Sequence, residues 1–167
     1  ESSSISFGNN LPSLQTNGKL DVYAAKIDSN GIWIWAKSVG GTNDDRSSNV
    51  ASFNDGSAVI TGYYWSSSFL FGNHRIRKTS LEDLFVAKID SSGNWVWANS
   101  AGGNSWDIAY SVATFNDGSS IITGYYWSSS IYFGDSIPTI YNNGDVDFFI
   151  ARIDSNGNWI WTRSVGG

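Results

Sequence analysis

Apolar and polar positions in this chain alternate with a period of two over short runs, and Asp, Asn, Ser and Gly break the runs. That pattern predicts strands joined by tight turns, and no stretch of ten residues sustains a helical period. The clearest case is Lys88 to Trp97, an apolar run, an Asp-Ser-Ser-Gly turn and a second run with two tryptophans two positions apart. It recurs as Lys26 to Trp35 and Arg152 to Trp161. Each copy reads as a hairpin in which Asp bonds its own downstream backbone and Gly takes the positive φ that closes the turn. Period-two placement is expected to put both tryptophans of a copy on one face.

The rest of the chain falls into register around these hairpins with a period of 62 to 64 residues. A Ser-rich strand ending in Phe-Gly runs over Ser2 to Gly8, Ser66 to Gly72 and Ser128 to Gly134. Variable inserts follow, Asn9 to Leu20, Asn73 to Glu82 and Asp135 to Val146, and then an Asp (Asp21, Asp83, Asp147) opens the next strand. In the second copy Leu84 and Val86 lie on one face and Phe85, Ala87 and Ile89 on the other; in the third, Phe148 and Ile150 oppose Phe149, Ala151 and Ile153. Strands apolar on both faces belong between other layers, and the pattern offers no helices to cover them. After the Trp-x-Trp strand come Gly40-Gly41, Gly102-Gly103 and Gly166-Gly167, and then two more strands joined at Asn54-Asp55-Gly56 and Asn116-Asp117-Gly118.

The predicted fold is therefore all-β: tandem four-stranded antiparallel sheets, β-propeller-type blades, in about two and a half repeats. The repeats divide as 1–41 (a lone hairpin), 42–103 and 104–167, and a duplicated β-sandwich is the alternative. The run Asp-Val-Tyr-Ala-Ala-Lys-Ile-Asp-Ser-Asn-Gly-x-Trp-x-Trp, followed by Gly-Gly-x-x-x-Asp, Asn-Asp-Gly-Ser-x-x-Ile-Thr-Gly-Tyr and Phe-Gly, resembles the bacterial β-propeller repeat often called SBBP. The resemblance covers almost the whole chain and implies a secreted or cell-surface location, commonly in long arrays. Its motifs are signatures of turns and strands and carry no chemistry.

Two and a half blades cannot close a ring, since propellers have about four to eight. The end sheets are then expected to leave apolar faces bare. Burying one aromatic ring removes about 150–250 Å² from water, at most roughly 4–6 kcal/mol at ~25 cal/mol/Å². A few bare rings thus rival the ~5–15 kcal/mol net stability of a domain. The ends are expected to be covered by more of the same polypeptide or by a homo-oligomeric neighbour. The chain begins without Met and without a signal peptide, so it is expected to be a processed product or a piece of something longer.

Composition narrows the chemistry. A net charge of -5 gives no electrostatic footprint for nucleic acid, and no run is long enough to cross a membrane. The absence of Cys removes disulfides, thiol catalysis and thiolate metal sites. His74, the only histidine, has no His or Cys partner for a zinc site or triad; with Arg75 and Arg77 it reads as a solvated basic loop or a contact for an acidic partner. Asp28, Asp90 and Asp154, with Asp55 and Asp117, read as turn formers, and Asp45 and Asp107 as groups that bond loop backbone. Calcium is a minor possibility, because the alternating ligand series of a calcium loop is missing, and paired-carboxylate glycosidase chemistry a smaller one.

The candidate ligand or partner residues are Tyr63, Tyr64 and Trp65 with Tyr125, Tyr126 and Trp127. Alternation turns one aromatic of each triplet away from the other two, leaving flat rings for a sugar or another subunit. No catalytic, metal or cofactor motif stands out. The expected function is a structural and interaction module of a secreted or surface protein, mediating self-assembly or adhesion through blade faces and inserts. A carbohydrate-binding module is the alternative, and a polysaccharide-degrading enzyme fragment comes third.

Overall fold

A computed structural model describes residues 3–8 and 11–167; Ser2 and Asn9, which open the first Phe-Gly segment and the first insert, lie outside the described residues. The first repeat supplies two hairpins, β1 (Ser4–Ile5) with β2 (Leu14–Gln15) and β3 (Val22–Ile27) with β4 (Trp33–Val39). The second supplies β5 (Asp45–Ser52), β6 (Ala58–Tyr64), β7 (Ser68–Phe71), β8 (His74–Arg77), β9 (Asp83–Ile89) and β10 (Trp95–Ala101). The third repeats this as β11 (Asp107–Thr114), β12 (Ser120–Tyr126), β13 (Ser130–Ile131), β14 (Ile140–Tyr141), β15 (Asp147–Ile153) and β16 (Trp159–Val165). No helix among the described residues is long and apolar enough to cross a membrane.

The second repeat forms one four-stranded antiparallel meander, β5-β6-β9-β10, and the third forms β11-β12-β15-β16. These are propeller-type blades packed face to face, as the two-sided apolar strands require. Leu84, Val86 and Val59 pack with the third sheet, and Phe85, Ala87 and Ile89 with the first hairpin. A duplicated sandwich would pool these residues in one interior. Instead there are two cores, one in each seam between successive sheets. The inserts are more ordered than the loops expected from sequence: each Phe-Gly strand pairs with its insert in a small hairpin, β1–β2, β7–β8 or β13–β14.

The hairpin turns are built as their residues dictate. Asp90 Oδ1 accepts the backbone N–H of Ser92 (2.9 Å) and Asn94 (2.8 Å), and Asp28 and Asp154 do the same. Gly31, Gly93 and Gly157 have φ of 81°, 85° and 88°, the left-handed region that a side chain resists.

The tryptophans overturn the expectation of a shared face. Trp95 pairs with Ile89 but Trp97 with Lys88, so one extra residue is inserted in β10, and the same bulge occurs in β4 and β16. A bulge reverses alternation. Trp95 turns toward the first hairpin and meets Phe71 at 4.7 Å between ring centroids, while Trp97 turns toward the third sheet. Phe7–Trp33 and Phe133–Trp159 reproduce the first contact at 5.1 and 5.0 Å. The second tryptophan crosses the seam. Trp35 Nε1 donates to the carbonyl of Ser91 (3.1 Å) and Trp97 Nε1 to that of Ser155 (3.0 Å). Each indole lies over the turn glycine of the next sheet, so close that a Cβ on Gly93 or Gly157 would come within 2.9 Å of the ring.

These two constraints separate by mutation. Gly31→Ala, at a positive φ but with open space around it, should cost only the left-handed penalty of about 1–2 kcal/mol. Gly157→Ala should cost about 2–4 kcal/mol, because it also displaces the Trp97 ring. Urea denaturation of both variants measures the gap, and equal losses would mean that the ring contact contributes nothing.

Candidate functional site

Each seam holds buried carboxylates beside the Gly-Gly corner. Asp107 Oδ2 accepts the Gly103 N–H (2.7 Å) and the Ser128 hydroxyl (2.7 Å). Asp45 Oδ2 accepts the equivalent Gly41 N–H and Ser66 hydroxyl, both at 2.7 Å. Asp83 accepts the Thr79 N–H at 2.8 Å and lies where a Cβ on Gly102 would overlap its carboxyl, which is why that corner is glycine. Burial pushes Asp107 up to about 7, against the pull of the Ser128 and Gly103 bonds and with the nearby Asp83 adding to the rise. Burial raises Asp45 and Asp83 as well. Asp45 and Asp107 have no exposed surface, and they bond loop backbone, as expected.

The aromatic triplets divide as alternation requires, and two of their members leave the candidate surface. Tyr64 and Tyr126 are fully buried in the seams, and the Tyr126 hydroxyl donates to the Tyr141 carbonyl at 3.0 Å. Tyr63, Tyr125 and Trp127 are half-buried and Trp65 is exposed. In the third sheet the structure adds two rings that sequence reasoning missed, Trp106 and Tyr110, 50% and 44% exposed. Tyr110 stacks on Tyr125 (centroids 4.7 Å, planes 24° apart), and their hydroxyls are hydrogen-bonded. Trp127 stands edge-on to Tyr125 at 4.7 Å and Trp106 edge-on to Trp127 at 6.0 Å. The result is a row of four rings along the start of β11 and the end of β12. A signal for it exists in the sequence: Trp106 and Tyr110 stand where the second repeat has Asp44 and Ser48.

Beside this row lies the uncovered face of the third sheet. Leu84 and Val86 are 0% exposed, but their equivalents Phe148 and Ile150 are 58% and 36% exposed, and Val165, the equivalent of Ala101, is 72%. Tyr110, Tyr125, Phe148, Ile150 and Val165 line a groove of about 500 Å³ there.

His74, Arg75 and Arg77 sit on β8, so the basic group is a strand of an ordered hairpin rather than a loop. Arg75 and Arg77 are exposed on the opposite side of β8 from the buried Ile76, and His74, on the same side as Ile76, is half-buried. The structure does not bring this group together with the aromatic row. Among the described residues no group of three or more His, Cys, Asp or Glu is placed to hold a metal.

No protein-family model matches the chain. It is similar to an uncharacterized WD repeat-containing protein of Acanthamoeba polyphaga mimivirus, 26% identical over 145 residues that cover 81% of this chain. The chain spans 10% of that protein's length. WD repeats are four-stranded propeller blades, the same architecture as the sheets here.

The buried carboxylates set a pH dependence. An unfolded Asp releases its proton near pH 4, so between about pH 4 and pH 7 the folded chain holds a proton on Asp107 that the unfolded chain has lost. Stability from this group is complete below that window and falls as pH rises through it. Urea midpoints should therefore drop from pH 5 to pH 8. Asp107→Asn, neutral throughout and able to accept the same two bonds, should flatten the drop by about 1–3 kcal/mol. An unchanged slope in that variant would exclude Asp107 as its source.

Proposed function

We propose that this chain is a structural and interaction module of a secreted or surface protein, and that it mediates self-assembly or adhesion through its blade faces and inserts. The observation that carries the reading is the third sheet's outer face. Positions that the second sheet buries completely are open there, with larger apolar residues in them: Phe148 for Leu84, Ile150 for Val86 and Val165 for Ala101. Such a surface gains several kcal/mol on being covered and marks a contact site. The surface location rests on the resemblance of the repeat to the bacterial propeller family. The exposed Arg75 and Arg77 of β8 give the second blade a contact for an acidic partner that the other inserts lack. The reading assigns the chain no catalysis. Sedimentation of the isolated chain should show reversible association that grows with concentration, and a monomer at every concentration would overturn self-assembly.

A second reading, carbohydrate binding, is favoured by the ring row alone. Trp106 and Tyr110 depart from the repeat and add exposed aromatic surface. Titration calorimetry against a panel of oligosaccharides should then show saturable binding that Trp106→Ala weakens at least about tenfold, a loss near 1.4 kcal/mol. No saturable heat from any sugar would remove this reading.

A further inference from the structure

The two ends of the array carry opposite halves of the contact that joins its sheets. On the outer face of the third sheet, Trp161 holds the place of Trp35 and Trp97. It is half-buried, and its indole N–H meets no acceptor among the described residues. At the other end, Gly31 has the φ of Gly93 and Gly157, yet among the described residues nothing stands within 4 Å of where its Cβ would be, whereas the other two lie under indole rings. Beside it Ile27 is exposed where Ile89 and Ile153 are buried, and Trp33 is more open than its buried equivalent Trp159.

Two positions at which the copies differ fit these halves to each other, the one held by Lys37, Asn99 and Arg163 and the one held by Ile32, Asn94 and Asn158. Asn99 donates from Nδ2 to the Gly157 carbonyl across the seam at 2.7 Å, and at the equivalent position the outer face carries Arg163. This residue is exposed, and among the described residues it donates to the adjacent Thr162 carbonyl alone. Within the turns, Asn94 and Asn158 donate from Nδ2 to Oδ2 of Asp90 (3.1 Å) and Asp154 (3.0 Å). The first turn has Ile32 in that place, and among the described residues Asp28 accepts through Oδ1 alone, from Asn30 and Ile32. A cation therefore stands at one end, and a carboxylate oxygen without its intra-turn partner at the other.

We propose that a second copy of this chain docks head to tail on the first. Trp161 of one copy seats over Gly31 of the next and donates to the Ser29 carbonyl, as Trp35 does to Ser91 and Trp97 to Ser155. Arg163 reaches past that turn to Asp28. The contact is heterologous, so each docked copy presents the same free ends again and assembly extends. This deepens, and rests on, the reading of the chain as a self-associating module.

Sedimentation velocity of the 167-residue chain and three variants tests it. Trp161→Glu closes one end, Ile27→Glu closes the other, and Arg163→Glu places a like charge opposite Asp28 at an exposed side chain. Circular dichroism confirms that each is folded. The native chain should grow with concentration beyond a dimer. Trp161→Glu and Ile27→Glu should each stay monomeric, and an equal mixture of the two should give a 1:1 dimer and nothing larger. Arg163→Glu should associate at least about tenfold more weakly, with the salt dependence of the native chain lost. Association of the native chain that survives in either end-closing variant alone would place the contact elsewhere and overturn head-to-tail docking, while self-assembly stands. A monomeric native chain would overturn both. Monomeric variants whose mixture yields no dimer would overturn the docking alone.

Discussion

An indole seated over a glycine holds this molecule together. In the first two Trp-x-Trp runs the second tryptophan, Trp35 or Trp97, leaves its own sheet, lies on the turn of the next and donates its N–H to a backbone carbonyl there. Ring and turn constrain each other. The glycine must lack a Cβ for the ring to approach, and it must take a positive φ for the turn to close. The bulge that reverses the strand between the two tryptophans makes the arrangement possible. One ring locks the inserted hairpin to its sheet through Phe7, Phe71 or Phe133, and the other joins that sheet to its neighbour.

Because every sheet is secured mainly by the one beside it, the architecture is close to one-dimensional. The cores lie in the seams, not in the sheets. A sheet with a neighbour on each side is dry on both faces, whereas a terminal one keeps a wet apolar face. Phe148 and Leu84 illustrate the difference, since they occupy the same strand position and only Leu84 has a sheet beyond it.

Polar groups finish the seams. The carboxylates beside the Gly-Gly corners accept backbone N–H groups and hydroxyls that would otherwise be buried unpaired, and in return they are held at raised pKa by their own burial. This couples the seam to pH through groups that never meet solvent. The surface row of Trp106, Tyr110, Tyr125 and Trp127 answers to no such requirement, and it is where one blade differs in character from the other.

Strand order, turn chemistry and the two-sided burial of β9 and β15 could be read from residues 83–89 and 147–153 alone, because they follow from local alternation, Asp-to-backbone bonding and the φ that only glycine takes freely. The repeat likewise pointed to sheets stacked face to face, with the cores in the seams between them. What local pattern could not give was the direction of the tryptophans, since a one-residue bulge leaves no mark on spacing yet reverses every side chain beyond it. Nor could it show that Tyr64 and Tyr126 lie inside while Tyr63 and Tyr125 meet solvent, or that Trp106, Tyr110, Tyr125 and Trp127 form one row. Those outcomes depend on which face of a sheet meets another, and distance across a seam is fixed by packing among residues about sixty positions apart.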